Sequence, residues 1–331
     1  MGQGRGRREE GRNPNQLTLL LSERDVEGLL KMDEVVFSVE EAFRRQSEGE
    51  AENFMRTRTK GRASILSVMH ASLSYLGRGG LKCYTSSRKG TRFAFILFDS
   101  SDSKPLAVMG ADVLGRYRTG AASAVATKHL YGRRSARLAV CGSGKQALTQ
   151  VLALASVVSV HEVRVWSPTR EHRKSFAEAL GARGFDSTAF DSAAEALEGA
   201  DVVSAITSST QPFIDGVSIR KVSHLNICGS NTPDRFEIAP SALGAFGTIV
   251  VDDLAQAKVE YGDLIQGVKA GTTDWGKMVE LKDVVGGRMK PRGKTLFKSG
   301  GVALEDVAVG SMVYDKAVKT GRFSSFEFEL G

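Results

Sequence analysis

Cysteine and histidine are scarce, with three and five residues in a chain of 331. Cys83, Cys141 and Cys228 form no CxxC pair, and the histidines show no HxxxH or HExxH spacing, so no zinc site is expected. The odd cysteine count, with two of the three in strand-like apolar runs and no secretory leader pattern, points to a reducing, cytoplasmic setting. Long apolar runs are also lacking. The longest, Val151 to Val160, is interrupted by Ser156 and Ser159 and falls short of the roughly 18 residues a membrane helix requires, so no membrane partner is expected. Acidic residues are the minority charge, giving a formal net charge of +7. Part of that excess sits in the opening MGQGRGRREEGR, which has no apolar periodicity and reads as a disordered basic tail over residues 1–16. A nucleic-acid or membrane-surface arm is conceivable for such a tail. A solvated extension is the simpler reading, and no nucleic-acid partner is expected.

What is present is a chain long enough for two domains. LTLLLSERDVEGLLK (17–31) reads as a short strand and a helix capped by Ser22 with Asp25 at the third helical position. A second helix is expected from Met32 to Ser47, with Val35, Val36, Val39, Ala42 and Phe43 on one face. Residues 54–98 are strand-rich, with glycines marking turns. From about Gly120 the pattern changes to apolar strands alternating with helices: ARLAVC, EVRVWS, DVVSAIT, HLNIC and TIVVDD are the strand candidates. That β-α-β order implies a doubly wound parallel sheet. An apolar helix, LEDVAVGSMVYDKAVKTG, closes the chain.

The most informative local motif is Cys141-Gly142-Ser143-Gly144-Lys145-Gln146-Ala147, a GxGxxA turn between a strand and a helix. Gly142 permits the tight turn, Gly144 lets backbone approach a pyrophosphate, Ala147 allows close helix–strand packing, and the helix N-terminus faces the phosphates. The pattern points to a Rossmann-type dinucleotide-binding oxidoreductase. The next strand ends at Ser167, followed by Thr169 and Arg170 with Arg173 nearby, and carries no acid for the ribose hydroxyls. Without that acid a 2′-phosphate is not repelled, so NADP(H) is favoured over NAD(H).

Four motifs in order, RTGAASAVA (118–126), the GSGKQA turn, GSNTPDRFE (229–237) and FKSGGVALEDVAVG (297–310), together with the N-terminal LSERDVEGLLKMDEVVFSVEEAF, resemble the ornithine cyclodeaminase/mu-crystallin family over about residues 17 to 320. That family includes cyclodeaminases, alanine dehydrogenases and ketimine reductases. The resemblance implies an α/β protein in which residues 17–112 and 306–331 form a smaller α+β substrate and dimerisation domain and residues 113–305 the Rossmann domain. It also implies a homodimer. It places Arg56 as the first carboxylate-binding arginine, with Arg58 a close competitor, Lys82 as the active-site lysine, and Arg118 as a second arginine near both substrate and cofactor. It adds Gly300 to the substrate contacts. It adds Thr91, Lys145, Gln146, Thr207, Gly229, Ser230, Asn231, Arg235 and Ser299, with Ser143 of the glycine turn, to the cofactor contacts. The chemistry is consistent: an α-carboxylate needs a fixed cation, and a lysine beside a C=N bond can polarise it or supply a proton.

One departure bears on activity. Where the cyclodeaminases carry an Asp in the segment matching 229–233, this chain has Asn231. A carboxamide cannot take a proton at neutral pH, so deaminating cyclisation by that route is disfavoured, and Asn231 is left to hydrogen-bond an imine nitrogen or a water. The expected function is therefore NAD(P)H-dependent reduction of an α-imino acid, or its reversal as an amino-acid dehydrogenase. A cyclodeaminase-type lyase that recycles bound NAD and a non-catalytic NADPH-binding protein are the alternatives.

Overall fold

A computed structural model of the chain describes residues 17–327; the basic tail expected over 1–16 lies outside the described residues. The first half builds a mixed sheet. Its elements are β1 (Thr18–Leu21), α1 (Glu23–Leu29), α2 (Met32–Ser47), β2 (Ala51–Asn53), β3 (Thr57–Lys60), β4 (Ser64–Leu73), β5 (Arg78–Ser87), β6 (Gly90–Asp99) and β7 (Pro105–Gly110). Ser22 caps α1, and the Ser22–Asp25 capping box is complete, as the sequence predicts. α2 spans the predicted residues, and its buried positions include Val35, Val36, Val39, Ala42 and Phe43. β4 to β7 pair antiparallel in hairpin succession, whereas β1 lies parallel to β7.

α3 (Asp112–Leu130) leads into the second sheet, made by β8 (Ser135–Cys141), α4 (Ala147–Ala155), β9 (Ser159–Trp166), α5 (Arg170–Gly181), β10 (Ser187–Ala189), α6 (Ala193–Leu197), β11 (Val202–Ala205), β12 (His224–Ile227), β13 (Thr248–Val251), α7 (Leu254–Glu260), α8 (Gly262–Lys269), β14 (Met278–Glu280), α9 (Leu281–Val285) and β15 (Thr295–Lys298). Its order is β10-β9-β8-β11-β12-β15-β13-β14, with every pair parallel. This is the doubly wound architecture expected. From β8 the chain winds outward through β9 and β10, then returns to place β11 on the other side of β8. The crevice lies at the carboxyl ends of β8 and β11, where the winding reverses.

Three short strands of this sheet, β10, β14 and β15, escape the sequence pattern. β15 matters most. Its TLFK follows the polar stretch GGRMKPRGK and ends in Lys298, yet all four residues are buried between β12 and β13. It delivers Ser299 and Gly300 beside the end of β12. The chain closes with α10 (Ala303–Thr320), which packs with α2 on the first sheet through a core that includes Phe43, Phe95, Leu97, Val309 and Val313, and with β16 (Ser325–Phe326), antiparallel to β1.

Candidate active site

The glycine turn leaves β8 with Gly142 at φ 120°, a conformation that favours glycine, and its N–H donates to Trp166 O at 2.7 Å. A Cβ on Gly142 would lie 2.6 Å from Ile206 O, whereas one on Gly144 would meet nothing within 4 Å. The first glycine is therefore required by packing, and the second faces open space. That space is a cavity of about 600 Å³ lined by Gly142, Ser143 and Gly144, by Ser167 and Thr169 after β9, by His172 of α5, and by Thr207 and Phe213 after β11. The Ser143 hydroxyl donates to Ser167 Oγ at 2.9 Å, tying the turn to β9. Among the described residues, no carboxylate lines this end.

Beyond it, the ends of β11, β12 and β15 are bound together by buried charge. One Glu237 oxygen accepts from Thr207 N and Oγ1 (both 2.7 Å) and the other from Gly229 N (3.0 Å). Lys298 Nζ donates to Ser230 O at 2.8 Å and pairs with Asp263 at 3.0 Å. Burial raises the Glu237 carboxyl above its ordinary range, and the nearby Lys298 opposes that shift. A Cβ on Gly229 would come within 2.1 Å of Thr207 O, so the two strand ends meet backbone to backbone. Asp252, at the end of β13, accepts from Ser299 Oγ, Gly300 N and Gly301 N at 2.9–3.0 Å and so folds the turn after β15. Between these turns lies a cavity of about 110 Å³ lined by Gly229, Ser230, Asn231, Ser299, Gly300, Arg118 and Gln146.

Arg118, Thr119, Gln146 and Asn231 also line a third cavity, of about 200 Å³, whose far wall is the first sheet. On β5, Lys82 is buried and shares its face with Tyr84 and Ser86, which line the same cavity. Its Nζ donates to Asp306 Oδ1 at 3.0 Å. Gly115 of α3 leaves room for it, since a Cβ there would lie 2.7 Å from Nζ. Arg118, also on α3, donates from Nε to Asp306 Oδ1 at 3.1 Å and from Nη1 to Glu305 at 2.8 Å. Arg56 Nη1 pairs with Glu260, and Nη2 donates to the carbonyls of Gly300 and Gly301 at 2.8 and 2.9 Å. Burial lowers the Lys82 ammonium to about 8, against the raising effect of Asp306, while burial pushes the Glu305 carboxyl up to about 8. Among the described residues, Arg56 Nε and Gln146 Oε1 are buried without a hydrogen-bond partner. Such groups in a cavity wall are available to a ligand.

The sequence-predicted residues thus separate into groups. Arg56, Lys82, Arg118, Thr91, Gln146 and Asn231 line the third cavity, Gly229, Ser230, Ser299 and Gly300 the second, and Gly142, Ser143, Gly144, Ser167, Thr169 and Thr207 the first. Between the two candidate arginines, Arg56 lines the cavity, whereas Arg58 turns its guanidinium to Glu260 and to Asn231 O (3.1 Å). Lys145 is exposed, 3.8 Å from Asp112. Arg170 and Arg235 are exposed, and neither is among the residues lining these three cavities. Arg173, expected near the ribose, is buried and tied to Asp191 and to Ser167 O (3.2 Å). Sequence reasoning missed the anions: Asp252, Glu237, Glu260, Glu305 and Asp306. The available signal was acids set in apolar runs, as in TIVVDD and LEDVAV.

The match to the ornithine cyclodeaminase/mu-crystallin family spans residues 16–321. The chain belongs to this family. It is 35% identical to ketimine reductase mu-crystallin of Rattus norvegicus over 224 residues, 66% of this chain and 68% of the relative. Its fold matches the Δ1-pyrroline-2-carboxylate reductase of Thermococcus litoralis, solved with NADH and L-proline, with a TM-score of 0.88 and 31% identity over 93% of this chain and 99% of the other. It matches an archaeal alanine dehydrogenase dimer with bound NAD equally well, with a TM-score of 0.88 and 30% identity over 95% and 100%.

Proposed function

We propose that the protein reduces the C=N bond of a small α-imino acid with NAD(P)H, as a ketimine reductase or amino-acid dehydrogenase. The observation that carries this reading is a cavity bearing the cations Arg56, Lys82 and Arg118, joined through Gln146 and Asn231 to the glycine-lined end of a doubly wound sheet. The open face at Gly144, the close backbone contact at Gly229 and the unpartnered Gln146 Oε1 fit a dinucleotide running from the first cavity to the second. Its nicotinamide, when bound, supplies the hydride. The substrate and dimerisation role falls to the first sheet with α10, and cofactor binding to the second sheet. Arg118 and the free Nε of Arg56 bind the carboxylate, Lys82 supplies the proton to the imine nitrogen, and Asn231 holds that nitrogen or a water. An amide at 231 leaves no base there for cyclodeamination.

The cofactor favoured is NADPH, because β9 is followed by Ser167 and not by an acid. A second copy of the chain completes the unit. The apolar side chains of Phe54, Met55, Ile65 and Leu66, around β3 and β4, are exposed and favour a partner that covers them. Among the described residues no helix is long and apolar enough to cross a membrane. The three free cysteines suit the cytoplasm.

The test is to follow nicotinamide absorbance with NADPH and with NADH, offering Δ1-pyrroline-2-carboxylate, iminosuccinate, or pyruvate with ammonia. Stoichiometric oxidation with at least one of them is expected. Ammonia release from L-ornithine with no net change in added cofactor would instead establish the lyase.

A further inference from the structure

Lys82 on β5 and Arg118 on α3 donate to one and the same oxygen, Asp306 Oδ1, at 3.0 and 3.1 Å. Asp306 is wholly buried in the first turn of α10, and its other oxygen, Oδ2, has no hydrogen-bond partner among the described residues. A carboxylate that neutralises an arginine commonly uses both oxygens in a bidentate pair. Here one oxygen is divided between two cations and the guanidinium is completed by Glu305. The arrangement fixes the position of Nζ, which is further bounded by Gly115 and by the Phe93 ring at 5.3 Å.

The charged groups around Lys82 come from α3, the segment before β3 and α10, while the flanking strands β4 and β6 set Met69 and Phe95 beside it. α3 contributes Arg118 in contact, with Arg116 and Asp112 on the cavity wall. The segment before β3 contributes Arg56. α10 contributes Asp306 in contact and Glu305 behind Arg118. The hydrogen-bonded anion is Asp306, and Arg118 and Arg56 both act against the ammonium.

We propose that Asp306 is the positioning residue for Lys82: it holds Nζ at the cavity wall and keeps it an ammonium, so that the proton donor is charged when the imine arrives. This rests on the reading of Lys82 as the proton donor. In the reaction the imine carbon gains hydride from the reduced nicotinamide and the nitrogen gains the proton from Nζ. Lys82 is left as the neutral amine, to be reprotonated by solvent. Burial alone drives Lys82 toward the neutral form, and removing the anion removes the main counterweight.

The experiment is the pH profile of kcat/KM for imine reduction by the full-length enzyme and its Asp306→Asn variant. Activity in this direction needs the ammonium, so it falls as pH rises through the Lys82 pKa. Loss of the adjacent anion should move that basic limb down by about 1–3 pH units, the usual effect of one close opposite charge. In amine oxidation, where the neutral amine is needed, the acidic limb should move down by the same amount. A merely structural Asp306 would lower kcat at every pH and leave both limbs in place, and that result would overturn the proposal. Should Asp306→Asn fold poorly, Asp306→Glu keeps the charge and displaces it by one methylene. The limb should then stay near its wild-type pH while kcat falls, and a moved limb with unchanged kcat counts against the proposal. Lys82→Met separates the two levels. If it leaves kcat intact, the reading of Lys82 fails. If it abolishes turnover while Asp306→Asn leaves the limbs unmoved, only the role of Asp306 fails.

Discussion

The crevice at the end of β8 and the cavity around Lys82 are built on opposite plans. The first is made by three short runs that follow strand ends, 142–144 after β8, 166–172 at β9 and 206–213 after β11, and its walls are backbone, hydroxyls and rings. The second gathers residues 56, 82, 118, 231 and 306 from separate segments and is dense with desolvated charge: Lys82, Arg56 and Arg118 against Glu260, Glu305 and Asp306. Backbone amides and a helix N-terminus hold phosphates without buried ions, so local sequence suffices. A site that must move a proton needs charges held out of water. Those survive only when each is paired, and breaking one buried pair costs about 3–5 kcal/mol. The pairing partners therefore come from wherever the fold can bring them, and the second region is a product of tertiary structure.

If the two regions divide labour in this way, their substitutions should separate in kinetics. Lys82→Met, which keeps the apolar stem and removes the donor, should lower kcat by about 10²–10⁴-fold, the scale of a lost general acid, with cofactor affinity nearly unchanged. A raised KM with near wild-type kcat would instead reduce Lys82 to a carboxylate anchor.

Gly142→Ala makes the reciprocal test. The residue sits at φ 120°, and its new Cβ would press on Ile206 O. Backbone strain and overpacking together should cost about 2–4 kcal/mol, seen as a lower Tm and a raised dissociation constant for the cofactor. With saturating cofactor, kcat should stay close to wild type. A collapse of kcat at saturation would mean that the two regions are mechanically coupled and the contrast between them is false.

The same contrast explains what the sequence made legible. The capping box at Ser22, the whole of α2 and the glycine turn depend on neighbours within a few residues, and each is found where the pattern places it. Lys82, Arg56 and Arg118 were singled out through flanking motifs. No periodicity marks a lysine on β5 as buried. Of the partners, Glu305 and Asp306 escape notice because an acid in the first turn of a helix ordinarily reads as a solvated cap, and Glu260 because nothing local at the end of α7 marks it as buried. β15 was missed for a related reason. Lys298 looks like a surface residue until Asp263 is brought to it from α8. Arg173 shows the reverse error. It looked free beside the ribose site and is committed to Asp191.

That last correction narrows the basis for cofactor choice to a smaller, testable effect in the first region. With Arg173 engaged, Arg170 at the start of α5 is the cation left to meet a 2′-phosphate; it is exposed and makes no ion pair among the described residues. Ser167, where an acid would bind ribose hydroxyls and repel phosphate, has its hydroxyl turned to Ser143 and to Thr169 O (3.3 Å). Arg170→Ala should therefore weaken NADPH by about 1–3 kcal/mol, the scale of one charge-assisted contact, and leave NADH unchanged. Because the side chain is solvated, the loss should shrink as salt is raised, which a buried contact would not do. Fluorescence titration of both cofactors against both proteins, at low and high ionic strength, measures this directly. Equal weakening of NADH and NADPH would mean that Arg170 supports the fold of the β9–α5 turn and not the phosphate. Tighter NADH binding by the unaltered protein would remove the preference altogether and assign this crevice to NAD.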